Sequence, residues 1–322
     1  MRALVTGANG FAGGYLTQHL VESKDDVFGT FLPSAAPSIV PSQKNKPLDI
    51  RDRAACLSLI QEIQPDVIYH LAGISFVPEA EKDFARAVAI NVEGTFNIIR
   101  ACVDAKVPAT VGFISSAEVY GKVRPEDLPL HEGLPTKPQT NYSLTKLMAE
   151  MVTQRFALDG FVKTVTIRAF NHIGIGQSEQ FVVANFANQL AAIAAKKAPP
   201  VIRVGNLEAK RDFVDVRDIV RGYRLAVLKG SGMFNLCSGR SVSIQTILDT
   251  LIEISGLKVS TTQDSERMRP SDIPEIRGSY EKAKRELGWE PKFQLRETLE
   301  RVYNHFLEVH GATHDHRASV GS

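Results

Sequence analysis

The sequence predicts an α/β fold built on a doubly wound, mostly parallel sheet, and three observations carry that prediction. Short β-branched runs alternate with longer amphipathic stretches through the first half of the chain, as repeated strand-helix-strand units require. Three glycines, Gly7, Gly10 and Gly13, fall between the first apolar run and the first amphipathic stretch. After Arg168 the alternation stops, and glycines, prolines and polar residues mark longer loops.

Taken in order, the apolar runs predict strands over 2–6, 26–31, 66–70, 110–115 and 163–168, with helices between them over 11–22, 52–63, 84–105 and 142–159. Right-handed crossovers convert this alternation into a sheet whose ligand crevice lies beyond the carboxyl ends of the strands. The second half predicts a helix over 181–197, elements over 214–228 and 233–236 that return to the first lobe, and helices over 244–255 and 295–308. The expected division is a dinucleotide-binding domain over 1–168 with return elements at about 214–236. A smaller, discontinuous α/β substrate lobe takes 169–213 and 237–309, and a polar tail takes 310–322.

Composition narrows the function classes. Of 322 residues, 43% are hydrophobic and 23% charged, a balance ordinary for a globular protein and unlike a disordered or fibrous chain. Lys and Arg number 38 against 36 Asp and Glu, a net charge of +2, so neither nucleic acid nor a membrane surface is expected as a partner. An anionic ligand has to be met by locally placed cations. Cys56, Cys102 and Cys237 stand far apart in no metal-ligand spacing and are expected as buried, reduced thiols. No metal site is expected, and His314 and His316 belong to the solvated tail. The opening apolar run is too short for a signal-peptide core, and nowhere do about 18 apolar residues follow one another; a cytoplasmic protein is expected.

Thr6-Gly7-Ala8-Asn9-Gly10-Phe11-Ala12-Gly13 sets its glycines at G-x-x-G-x-x-G between a predicted strand and a predicted helix. Glycines there permit a tight turn and a close backbone approach, while the helix N-terminus offers N–H donors and a positive dipole end to a pyrophosphate. Residues 27–32 at the end of the second strand contain no acid for a ribose 2′-hydroxyl and no arginine for a 2′-phosphate. NADP is therefore favoured over NAD, with use of both left open. Further on, Asp49, followed by Ile50, stands where its carboxylate would accept from the adenine amino group. Asp49 or Asp52 capping the next helix explains the same acids equally well.

Tyr142 and Lys146 lie at i and i+4 on one predicted helix and hence on one face. A free phenol titrates near 10, so a fixed ammonium beside it is needed for proton transfer at neutral pH. Lys146 is placed to act on Tyr142 and to bond the ribose of a nicotinamide, while Tyr142 gives or takes the proton at a sugar oxygen. Phe113-Ile114-Ser115-Ser116-Ala117-Glu118-Val119-Tyr120-Gly121 ends an apolar strand at the crevice. Ser116 there orients a substrate oxygen, and Glu118 is a base for a carbon next to a carbonyl.

These segments, together with His70-Leu71-Ala72-Gly73 and Asn91-Val92-Glu93-Gly94-Thr95, resemble the extended short-chain dehydrogenases and reductases over nearly the whole chain. The resemblance implies a Rossmann-type fold that binds NAD(P) through Gly7, Asn9, Gly10, Phe11, Gly13, Asp49, Ile50, Leu71, Ala72, Gly73, Asn91, Tyr142, Lys146 and His172. It also implies catalysis by Ser116, Tyr142 and Lys146, with Glu118 as an additional base. Gly73 departs from the usual alanine, and little consequence is expected of so small a change.

Phe170-Asn171-His172-Ile173-Gly174-Ile175-Gly176-Gln177-Ser178, Val204-Gly205-Asn206-Leu207-Glu208-Ala209-Lys210-Arg211-Asp212-Phe213 and Arg267-Met268-Arg269-Pro270 look like the GDP-sugar branch of that family. The implied reaction is NAD(P)H-dependent reduction of the C4 keto group of GDP-4-keto-6-deoxy-D-mannose. Ser75, Asn171, Asn206, Arg211 and Arg269 are the implied substrate contacts, the guanidinium groups suiting a diphosphate. For the two arginines, ion pairs with Asp212, Asp215 or Asp272 are the structural alternative. GDP-mannose dehydration using Glu118 is the second expectation and epimerisation of another nucleotide sugar the third. A dinucleotide-sensing regulator would not need the Tyr/Lys pair. Family resemblance further implies a homodimer paired through helices 84–105 and 142–159.

Overall fold

The computed structural model describes residues 1–32, 44–264 and 273–312; Arg269, Asp272, His314 and His316 lie outside the described residues. Along the first half run β1 (Arg2–Thr6), α1 (Phe11–Glu22), β2 (Asp26–Phe31), β3 (Asn45–Pro47), α2 (Arg53–Ile63), β4 (Val67–His70), α3 (Val77–Lys82), α4 (Phe84–Val88), α5 (Gly94–Asp104), β5 (Thr110–Ser116), α6 (Asn141–Leu158) and β6 (Lys163–Ala169). The second half contributes β7 (Asn171–Ile173), α7 (Val182–Ala194), β8 (Val201–Val204), β9 (Lys210–Asp215), α8 (Val216–Lys229), β10 (Gly232–Leu236), β11 (Ser241–Ser243), α9 (Ile244–Ser255), β12 (Ser260–Gln263), α10 (Glu281–Leu287) and α11 (Leu295–Val309).

Seven parallel strands form the central sheet in the order β10-β6-β5-β4-β1-β2-β3. The order reverses between β1 and β4, and the ends of those strands bound the crevice where open α/β sheets take their ligands. Helices cover both faces, as a buried parallel sheet demands. On one face α1 and α8 pack over Val5, Tyr69, Ile167 and Phe234. On the other, α2 and α5 pack over Leu4, Ile68 and Val111. The second core lies among α7, α9 and α11 around Phe186, Leu190, Leu248 and Tyr303. It is edged by the small sheet β11-β9-β7 and by the pair β12-β8.

Local chemistry accounts for the helix ends. Asp52 accepts from the Ala55 N–H and starts α2, so of the two acids offered for capping it is Asp52 that caps. Thr140 and Ser143 cap α6 reciprocally, and Gly256 ends α9 in a left-handed conformation. One predicted helix differs. The span 84–105 is helical as expected but not α-helical throughout: a π-helical turn at Ala89–Glu93 joins α4 to α5. That turn brings Asn91 to the buried side, and Gly94 after it lies so close to Ile50 that a Cβ would come within 2.5 Å of its Cδ1. A π turn carries one extra residue, which shifts the face presented by everything before it.

Trp289 ties the second half to the first sheet. It is wholly buried in the α1/α8 core, its indole N–H donates to the Asp218 carbonyl at 2.9 Å, and Tyr280 meets it edge-on. Trp289→Ala is expected to destabilise the protein by about 3–5 kcal/mol, read from the urea midpoint at unchanged slope.

Candidate active site

The glycine turn follows β1 directly. Gly7 has φ +70, and a Cβ on Gly13 would stand 2.1 Å from the Gly7 carbonyl oxygen, so this turn closes only around glycine. No side chain caps α1 at Gly10 and its first turn carries no acid, which fits a site for a phosphate group at the helix N-terminus. Phe11 opens the helix, and His172 on β7 stacks on it at 5.9 Å with the rings 5° apart. The His172 imidazole bonds the Phe170 carbonyl through Nδ1, and burial lowers its pKa.

Behind this turn a buried chain of hydrogen bonds runs from β1 to α5. The Ala72 N–H donates to Thr6 Oγ1, Thr6 Oγ1 stands 2.8 Å from His70 Nδ1, His70 Nε2 stands 3.0 Å from Thr95 Oγ1, and Thr95 donates to the Asn91 carbonyl. Thr95 has spent its proton on Asn91 and must accept from Nε2–H, so Nδ1 accepts from Thr6. Burial, then the neighbouring Lys146 charge, push the imidazole down to about 3 and keep it neutral.

Asn91 joins three segments. Its Oδ1 accepts from the Ile74 N–H at 2.8 Å, and its Nδ2 donates to the Ile74 carbonyl and to Thr145 Oγ1 on α6. Leu71, Ala72 and Gly73 are thereby fixed beside the helix that carries Tyr142 and Lys146. Ser75, two residues on, is exposed. Asp49 and Ile50 follow β3; the Asp49 carboxylate holds the Arg51 guanidinium, which lowers its pKa, and Asn97 on α5 pins the Ile50 carbonyl.

Ser116, Glu118, Tyr142 and Lys146 come together at the carboxyl end of β5. Ser116 lies beside the Tyr142 phenol and lowers its pKa, and its hydroxyl accepts from the Glu118 N–H, capping the short helical turn Ala117–Tyr120. Burial, then the Glu118 carboxylate, raise the pKa of Tyr142 well above that of a free phenol, so it is protonated at neutral pH. Lys146 differs from its predicted part. Its Nζ donates to the Ile114 carbonyl at 2.8 Å and lies 5.1 Å over the Phe113 ring, rather than acting on the phenol directly. Burial brings its pKa down to about 8 against the opposing charge of Glu150.

On the substrate side, Asn171 is exposed on β7, and the Asn206 side-chain Oδ1 accepts from the Glu208 N–H. Arg211 donates to the Lys210 and Ile273 carbonyls. Its suggested partner Asp212 turns the other way, because adjacent strand residues face opposite sides. Wholly buried, Asp212 accepts from Ser238 Oγ and the N–H groups of Ser238, Gly239 and Gly278, and burial raises its pKa to about 6. Asp215 pairs with Arg217 and Thr298 instead.

Sequence reasoning passed over the Thr6–His70–Thr95 chain and Glu150, although Glu150 continues the Tyr142, Lys146 interval by one more turn. It also undervalued Gly73. A Cβ there would stand 2.8 Å from Asn91 Oδ1 and 3.8 Å from Lys146 Nζ, so the smallest substitution disturbs the Asn91 junction. Gly73→Ala is expected to lose about 1–3 kcal/mol of stability and to weaken dinucleotide binding, measured by thermal unfolding and by quenching of protein fluorescence.

The sequence profile described as GDP-mannose 4,6 dehydratase matches residues 4–302. A GDP-6-deoxy-D-mannose reductase of Pseudomonas aeruginosa is 32% identical over 303 residues, 94% of this chain and 95% of that protein. A GDP-6-deoxy-D-talose 4-dehydrogenase of Aggregatibacter actinomycetemcomitans is 31% identical over 318 residues, 96% of this chain and 99% of that protein. Among solved structures, RMD from Pseudomonas aeruginosa complexed with NADPH superposes with a TM-score of 0.86 at 29% identity, covering 96% of this chain and all of that one. A UDP-glucose 4-epimerase of Thermus thermophilus in complex with NAD gives 0.85 at 25% identity, over 95% of this chain and 99% of that one. With this coverage and this site geometry, the chain belongs to the GDP-mannose 4,6-dehydratase family of nucleotide-sugar enzymes.

Proposed function

We propose that the protein reduces the C4 keto group of GDP-4-keto-6-deoxy-D-mannose with NAD(P)H, giving GDP-D-rhamnose. The observation that carries this is the Ser116–Tyr142 hydroxyl pair at the mouth of a dinucleotide crevice, in a chain matched nearly end to end by a GDP-6-deoxy-D-mannose reductase. The turn Gly7, Asn9, Gly10, Phe11 and Gly13 receives the pyrophosphate, Asp49 and Ile50 the adenine side, and Leu71, Ala72, Gly73, Asn91 and His172 the nicotinamide side. A nicotinamide bound there supplies the hydride for the keto carbon. NADP is favoured because residues 27–32 carry no acid to repel a 2′-phosphate, and the superposed RMD of Pseudomonas aeruginosa is complexed with NADPH.

The chain's own residues manage the oxygen. Ser116 donates to the keto oxygen and orients it toward Tyr142, and Tyr142 delivers its proton as negative charge develops there. Burial and Glu118 keep the phenol protonated, the form from which a proton is given to the keto oxygen. The Lys146 ammonium, held by the Ile114 carbonyl, would bond the ribose of a bound nicotinamide, and its charge one helical turn away would favour the phenolate through space and not through a direct bond. Ser75, Asn171, Asn206 and Arg211 would meet the GDP-sugar, a guanidinium suiting the diphosphate; Arg269, given the same part by the sequence, lies outside the described residues.

Residues 1–168 with the returning segment at about 214–236 form the cofactor domain in this scheme, and 169–213 with 237–309 the substrate lobe. The protein works in the cytoplasm, consistent with three buried free thiols; among the described residues no helix is long and apolar enough to cross a membrane. It works as a homodimer. The helix α6 buries Tyr142, Ser143, Thr145, Lys146, Glu150 and Thr153 and exposes Leu144, Met151 and Leu158 at intervals of seven residues. Beside it, Phe156 packs against the exposed Phe96 of α5. An apolar stripe of this kind on a soluble chain is a surface for a second copy.

Mixed with GDP-4-keto-6-deoxy-D-mannose, the protein is expected to oxidise one NAD(P)H per sugar. Turnover of GDP-mannose with no net use of cofactor would instead identify a dehydratase using Glu118. Tyr142→Phe is expected to leave dinucleotide affinity within about threefold while lowering kcat on the order of 10²–10⁴-fold. Lys146 loses its proton as pH rises through about 8, so kcat/KM is expected to fall on the alkaline side of that pH. Met151→Asp is expected to shift the protein from dimer to monomer in sedimentation equilibrium.

A further inference from the structure

One turn beyond Lys146, on the same buried face of α6, stands Glu150, wholly buried. Its carboxylate accepts Arg168 Nε at 2.9 Å and Arg168 Nη2 at 2.7 Å, a bidentate pair, and it also accepts Ser115 Oγ at 2.5 Å. Ser115 and Arg168 are register partners on β5 and β6, and Arg168 is in turn the partner of Asn235 on β10. The guanidinium lies 4.7 Å over the Tyr120 ring, and the Tyr120 hydroxyl donates to Asn235 at 2.8 Å. One carboxylate therefore fastens the catalytic helix to a row of polar residues crossing three strands.

Stability does not explain such a cluster. Burying an ion pair removes two charges from water, and apolar side chains of the same volume commonly serve as well or better. Its position is more telling, because Ser115 immediately precedes Ser116 and Glu150 lies one turn from Lys146.

We propose that Glu150 is a positioning residue for the reaction: through Ser115 it fixes the strand end that presents Ser116, and its charge keeps Lys146 an ammonium inside the protein. The second half of this claim rests on the role given to Lys146 above. Burial works against the ammonium, and of the groups around it Glu150 supplies the charge that opposes this effect. On the same helix, Tyr142 is held neutral. From β4 comes His70, also neutral; from the π turn comes the uncharged Asn91, which bonds Thr145. From β5 comes the Ile114 carbonyl, with Glu118 following and facing Tyr142. From β6 comes Arg168, whose Nε and Nη2 are committed to Glu150. At the far end of the helix, Glu81 of α3 accepts the Asn141 N–H.

The test compares wild type, Glu150→Gln and the double variant Glu150→Leu/Arg168→Met, each assayed for keto-sugar reduction from pH 6 to 10 and for thermal unfolding. Glu150→Gln strands a buried guanidinium and is expected to unfold at lower temperature. The double variant replaces both charges by apolar side chains and is expected to unfold near the wild-type temperature. In both, the alkaline limb of kcat is expected to move down by about one pH unit, with turnover at pH 8 on the order of tenfold lower and KM little changed. A double variant with wild-type stability and a wild-type pH profile overturns the proposal, because a purely structural pair would be rescued in just this way. Lys146→Met, measured alongside, separates the two claims. If it keeps full turnover, the part assigned to Lys146 fails and the second half of this inference fails with it. If it is crippled while the double variant is unshifted, only the part assigned to Glu150 fails.

Discussion

The site depends on α6 lying against β5 and β6 with its polar residues turned inward. Ordinary surface helices bury an apolar stripe and expose a polar one. This helix does the reverse over much of its length, burying a phenol, an ammonium, a carboxylate and three hydroxyls while Leu144, Met151 and Leu158 stay outside. Each buried polar group needs a partner, and those partners are what fix the helix in depth and rotation. Thr145 is held by Asn91, Lys146 by the Ile114 carbonyl, and Glu150 by Ser115 and Arg168.

The same requirement joins the two ends of the crevice. His70 sits between Thr6, which ends the strand before the glycine turn, and Thr95, which follows the π turn carrying Asn91. Every hydrogen in that chain has one consistent place, so a neutral imidazole is built into the fold. The glycine turn, the Leu71–Gly73 segment and the catalytic helix are therefore parts of one connected polar framework. A Cβ on Gly73 would press on Asn91 Oδ1, so its cost is carried to the Asn91 junction.

Charge is handled differently in the two lobes. Around Tyr142 the protein keeps a neutral phenol beside a carboxylate and a buried ammonium, and burial is the largest cause both of the raised pKa of the phenol and of the lowered pKa of the ammonium. On the substrate side Arg211 meets backbone carbonyls, leaving Asp212 to organise the neighbouring loops through four hydrogen bonds. Strand alternation alone separates these two neighbours.

The parallel sheet, the helix limits of α1 and α9, the glycine turn and the Tyr142/Lys146 face could be read from the sequence, because each follows from short-range periodicity. Ser116 and Glu118 were legible as the end of an apolar strand. What tertiary structure alone decided are relations between segments far apart in the chain. These are the π turn within 84–105 that aims Asn91, the preference of Lys146 for Ile114 over the phenol, the inward turn of Asp212 and the clamp of Glu150 on Arg168. Periodicity tells which face of an element is buried, but a buried polar group takes the partner that packing brings within about 3 Å, and no local pattern encodes that distance.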